Sequence, residues 1–203
     1  MQGRALSAVV HAVFIASGVS ALIYQLVWQR SLMLIYGTNS ESVAMVVSAF
    51  LAGLGLGTLA GGALSRLPKA PLVLCFSGFE LIIGLYGLGS LRLFQWVSGH
   101  TLQAGVVETG IWAFALVLIP TLLMGATLPV LVAHCVRATG HVGRSVSGLY
   151  FVNTLGAGLG AFAAAFVLLR RFGLSGSVEI AAVLNLASAA AILAASAAYR
   201  RRP

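Results

Sequence analysis

An all-α, polytopic membrane fold is what this sequence predicts, on three observations: 60% of its 203 residues are hydrophobic, only 8% are charged, and the apolar residues gather into long runs. Soluble domains keep roughly a quarter of their residues charged to cover a wet surface. Twelve basic and four acidic residues cannot do that here, so lipid must cover most of the chain. A spanning helix rises about 1.5 Å per residue and needs about 20 mostly apolar residues. Six such runs fit, over 8–36, 42–64, 70–94, 105–135, 146–169 and 177–199, and residues 1–203 read as a single six-helix transmembrane domain. The net charge of +8 falls at the ends of these runs, where basic residues set topology. On that ground nucleic acid is excluded as a partner and the lipid bilayer takes its place.

The first run is too long for a signal peptide, and it is polar where an h-region would be plain. Its stretch "ALIYQLVWQR" holds Tyr24, Gln25, Trp28 and Arg30. Tyr24 and Gln25 are expected in mid-span, whereas Trp28 and Arg30 are expected near the outer interface, where an aromatic ring anchors and a charge is solvated. In the second run, "AFLAGLGLGTLAGG" spaces Gly53, Gly57 and Gly61 four residues apart, so one helix face lacks side chains. Such small-residue ladders let helix backbones approach closely in lipid. A phosphate-cradling loop is excluded, because no strand precedes these glycines.

The third run carries Glu80 in "CFSGFELIIGLYG", near its middle. A carboxyl group at the helix centre costs about 2.5 to 3.5 kcal/mol on insertion scales, so it must be neutralised, paired or turned to a polar cavity. That makes Glu80 the first candidate for a binding site, with Tyr24 and Gln25 as candidate partners at the same depth and Arg30 bending inward on its long stem. The fourth run, "IPTLLMGATLPVL", contains Pro120 and Pro129, which predict a kink or local break. In the fifth, "NTLGAGLGAFAAAF" repeats the ladder with Gly156, Gly160 and Ala164 and adds Asn153 as a further candidate. Asn185 in the sixth is an amide that could tie helices or touch a ligand. The two ladders hint at an inverted repeat of three plus three spans.

Basic residues set the orientation. Arg4, Arg66, Lys69, Arg137, Arg144 and Arg200 to Arg202 fall on one side, against Arg30, Arg92, Arg170 and Arg171 on the other. The excess places both termini in the cytoplasm, and the chain in a bacterial inner membrane. Glu41, Glu108 and Glu179 then stand at outer helix starts, each across a short loop from an outer arginine, where the helix dipole favours a carboxylate. Cys75, Cys135 and the four histidines make no metal-ligand spacing. No nucleophile, base and orienting group occur together, so neither catalysis nor a cofactor is expected.

Five stretches in order, "FIASGVSALIYQLVWQR", "AFLAGLGLGTLAGG", "FELIIGLYG", "LIPTLLMGATLPVL" and "GLYFVNTLGAGLGAF", resemble the membrane region of bacterial fused spermidine-synthase-like proteins. That region looks like one half of a major facilitator fold. The resemblance implies a 3+3 bundle, with "GGALSRLPKAP" as a degenerate facilitator loop keeping Gly62, Arg66 and Lys69. It does not imply synthase activity, because no Rossmann-like strand and glycine loop follow "AAYRRRP". In facilitator halves the second and fifth helices face the opposing half. A homo-oligomer or a second membrane subunit is therefore expected there, through the glycine faces.

Two functions follow as expectations. One is a half-size transporter for a small organic cation such as a polyamine, with Glu80, Tyr24, Gln25, Trp28, Arg30 and Asn153 around it. The other is a non-catalytic accessory subunit, or an anchor for a separately encoded enzyme. Water access to Glu80 separates them.

Overall fold

A computed structural model describes residues 2–36, 40–101 and 105–200 of the chain. Arg4, Glu41, Arg200, Arg201 and Arg202 lie outside the residues whose side chains are described, and so does the placement of Glu41 across a short loop from an outer arginine. The described chain is all-helical: α1 is Gln2–Tyr36, α2 Ser40–Ser65, α3 Leu72–Thr101, α4 Val106–Thr139, α5 Val142–Ala163 and α6 Leu169–Arg200, with a π turn at Ala164–Leu168 between the last two. Five stretches are long and apolar enough to cross a membrane: Ser7–Leu34, Val43–Ser65, Leu72–Thr101, Glu108–Thr139 and the 57-residue Val142–Ala198. The third reaches Thr101 where the sequence predicts an end at 94, because Arg92 and Gln95 are carried on the exposed face while Phe94 and Val97 remain in the core.

The fifth stretch is not one rod. Gly173 has φ 63 and ψ −164, a left-handed conformation that glycine alone adopts without steric cost. Asn153 of α5 touches Gly18 of α1, while Asn185 of α6 is hydrogen-bonded to Glu80, which is itself bonded to Ser17. A straight helix would hold positions 153 and 185 about 48 Å apart. The chain therefore folds back at Gly173, and the Ser177 hydroxyl donates to the Gly173 carbonyl there.

Register fixes the directions. Gly156 and Gly160 meet Ile15 and Val19, so α5 runs parallel to α1. Gly57 and Gly61 meet Leu122 and Ala126, so α2 runs parallel to α4. Ser77 and Glu80 meet Ala189 and Asn185, so α6 runs antiparallel to α3. Further packing of α6 on α1 and of α3 on α4 closes the bundle.

All five predicted ladder glycines are buried, and they serve contacts within the chain. A Cβ on Gly57 or Gly61 would strike the backbone of α4, and one on Gly156 or Gly160 would strike that of α1. At Gly53 the obstacle is the Thr121 side chain. Gly125 and Gly18 reciprocate, against the backbones of Leu54 and Asn153. The glycine faces of α2 and α5 are thus already occupied. Their exposed faces carry bulky side chains instead, such as Leu51, Leu59, Phe151 and Phe162.

In α4 the two prolines lie inside one uninterrupted helix, Val106–Thr139, and no break forms. Each proline lacks the N–H that would bond the carbonyl four residues earlier. For Pro120 that carbonyl is Leu116, and the Tyr86 hydroxyl of α3 donates to it at 2.6 Å. For Pro129 it is Gly125, which accepts from Thr58 of α2 at 3.2 Å, a hydroxyl shared with Leu54 O at 2.7 Å. Neighbouring helices thus replace both missing bonds, as lipid requires. Tyr86→Phe should destabilise the protein by about 1 kcal/mol. Most of that loss should vanish in a Pro120→Ala background, where the alanine returns an N–H to Leu116. A double-mutant cycle of thermal unfolding in detergent reads the coupling, and two additive losses would refute it.

Candidate functional site: a buried polar clasp

Glu80 is fully buried where α1, α3 and α6 meet. Ser17 Oγ donates to its Oε1 at 2.6 Å and Asn185 Nδ2 to its Oε2 at 2.6 Å. Each carboxyl oxygen thus has one neutral partner on a different helix, and the three helices are tied at a single depth. Nearby hydroxyls extend the seam through backbone carbonyls: Ser20 donates to Ser17 O at 2.9 Å, and Ser77 to Ala189 O at 3.1 Å.

Among the described residues, none of the expected partners is hydrogen-bonded to Glu80. Because α1 and α3 run in parallel, Ser17 shares Glu80's level and Tyr24 stands two turns further along, against Gly87. The Tyr24 hydroxyl and Asn185 Oδ1 have no hydrogen-bond partner among the described residues. Trp28 is corrected from an interface anchor to a core residue, fully buried. Its ring stacks on Tyr24 with centroids 4.7 Å apart, and its Nε1 donates to Ser90 Oγ at 2.9 Å. A side chain with one N–H can be buried wherever a neighbouring helix offers an acceptor. Gln25 is half-buried and Arg30 exposed, so the arginine does not join the clasp. Asn153 is half-buried, with its backbone and amide oxygen beside Gly18 at the α1–α5 contact. Asn185 was visible in the sequence only as an ambiguous amide, and Ser17 carried no signal at all.

A cavity of about 1080 Å³ opens at the end of the bundle that carries Arg137 and Arg144. It does not reach Glu80. Along α1, Phe14 lies between Val10 on the cavity wall and Ser17; along α3, Phe76 lies between Leu72 and Glu80. These two buried rings meet edge-on with centroids 6.4 Å apart, and with Ile192 they belong to the apolar cluster that floors the cavity. Among the described residues no group of three His, Cys, Asp or Glu side chains could hold a metal ion.

Of the charges at the opposite end, Arg92, Glu108, Arg170, Arg171 and Glu179 are exposed, and Glu108 sits in the first turn of α4, where the helix dipole favours it. Arg137 is employed structurally. Its guanidinium donates to Ser65 O, Leu67 O and Ala70 O, closing the C-terminal end of α2 and the loop that carries Arg66 and Lys69. Comparison with protein-family models, with curated proteins and with solved structures finds no match to this chain.

Proposed function

We propose that this chain is a non-catalytic membrane subunit, a packing module of a larger assembly or the membrane anchor of a separate protein. One observation carries the reading: Glu80, the single acidic group at mid-span, is sealed and has both oxygens occupied by neutral side chains of the same bundle. A solute site needs polar groups with unspent hydrogen-bonding capacity facing an accessible space. Here both carboxyl oxygens are engaged in tying α1, α3 and α6, and the cavity wall includes neither Glu80 nor the Tyr24 hydroxyl and Asn185 Oδ1, which have no partner among the described residues.

In this proposal the chain crosses the membrane six times, the Val142–Ala198 stretch crossing twice about Gly173. Exchanging the first three helices with the last three converts the α2–α4 contact into the α1–α5 contact, and α3–α4 into α1–α6. Both ladder contacts thus obey one inverted repeat, which favours a half-facilitator arrangement. The basic end, with both termini, faces the cytoplasm of a bacterial inner membrane.

The half-transporter reading keeps one supporting observation: the cavity is lined by the same helices that hold Glu80, α1, α3 and α6, with Phe14 and Phe76 lying between the two along α1 and α3. Flux separates the two. Proteoliposomes holding the chain are expected to take up radiolabelled putrescine or spermidine no faster than empty liposomes. Saturable uptake that disappears in Glu80→Gln would overturn the subunit reading and install the transporter.

A further inference from the structure

We infer that the cavity at the basic end is a binding site for a phosphate-bearing anion. Its wall gathers His11 of α1, His134 and Arg137 of α4, and His141, Arg144 and Ser145 at the start of α5. No carboxylate lines it: the three glutamates with described side chains, Glu80, Glu108 and Glu179, all lie elsewhere. The volume of about 1080 Å³ is just above the usual range of small-molecule sites.

The two arginines of this wall could serve only to orient the chain in the membrane, but orientation needs charge near a helix end, not convergence on a concave space. Helix dipoles do not decide the ligand's sign either. The N-terminus of α5 follows the C-terminus of α4 across Gly140, so their end charges oppose one another. The side chains therefore set the potential. Arg137 is committed to the carbonyls of Ser65, Leu67 and Ala70, though its charge remains. His11 donates from Nδ1 to Ser7 O, so in the neutral ring Nε2, beside Gly148 of α5, is an acceptor and adds no donor for an anion. Arg144 is exposed, and a guanidinium offers the planar fork that pairs with two phosphate oxygens.

The rest of the wall is apolar, including Leu72, Leu149 and Leu193. A phosphate monoester with an apolar portion matches both halves. It could be a lipid headgroup or a soluble phosphate compound, and the chemistry of recognition is shared. The site is separate from Glu80 and does not depend on the role proposed for that residue.

Cys135 is a half-buried free thiol on this wall, which provides a local reporter. In a Cys75→Ser chain purified in neutral detergent, maleimide labelling of Cys135 is followed with inorganic phosphate against chloride at equal ionic strength. It is followed again after reconstitution into phosphatidylcholine vesicles with and without phosphatidic acid. Occupancy should slow labelling about threefold or more at saturation. Protection by phosphate alone identifies a soluble ligand, and protection only by phosphatidic acid identifies a lipid headgroup. Arg144→Gln should raise the concentration needed for protection about tenfold, while Arg170→Gln, at the other end of the bundle, should not change it. Thermal unfolding of each variant confirms that it is folded. Labelling unaffected by both probes, or protection equal in wild type and Arg144→Gln, would overturn the assignment.

Discussion

Gly57→Leu is expected to leave no monodisperse protein in detergent, whereas Gly55→Leu, two residues away, is expected to purify like the wild type. The contrast isolates packing from propensity. Leucine is the better helix former by up to about 1 kcal/mol at either position. A side chain at 57 begins against the backbone of Leu122, however, while among the described residues nothing lies within 4 Å of one at 55. Backbone cannot rotate away as a side chain can, so α2 and α4 must separate along their parallel contact. Overpacking of this kind costs about 3 kcal/mol or more, a large fraction of the stability of a small domain. The pair Gly160→Leu and Gly158→Leu should repeat the result on α5, since only the first meets the backbone of Val19. Size-exclusion profiles and thermal unfolding measure the difference. If Gly57→Leu yielded a folded monomer that had merely lost an oligomer, the ladder would belong to an interface between chains.

These ladders show what was legible in the sequence and what was not. Spacing of four announces a flat face, and length with hydropathy announces the spans, because both are local properties of one helix. The identity of the neighbour is not local. Gly57 is matched to Leu122, and Gly156 to Ile15, only once the bundle has assembled. The prolines teach the same lesson: their orphaned carbonyls, Leu116 and Gly125, follow from counting back four residues, yet Tyr86 and Thr58 come from other helices. Trp28 departs from the expectation because an aromatic near a helix end usually marks an interface. Ser90, lying opposite it on α3, makes burial possible instead. The cavity left no trace along the chain, since its wall is drawn from the ends of five helices.

Glu80→Ala is expected to cost about 2 to 5 kcal/mol, and Glu80→Gln less than about 1. Alanine leaves the Ser17 hydroxyl and the Asn185 amide facing an empty volume, each a buried donor without its acceptor. Donors in membranes recover part of such a loss by finding other partners, which sets the lower end of that range. Glutamine keeps the shape and one acceptor oxygen for one of these donors. Its new N–H₂ can face Asn185 after that amide rotates, because Asn185 Oδ1 is buried and otherwise without a partner among the described residues. The comparison therefore separates what a carboxyl does by shape from what it does by charge. A clasp needs the first, and both of its donors are neutral. A coupling site for a cation needs the second. Near-native unfolding temperature in Glu80→Gln with a large loss in Glu80→Ala supports the clasp. A glutamine variant as unstable as the alanine one would mean that charge at Glu80 is required, and the subunit reading would have to yield to one in which that charge has a mobile partner.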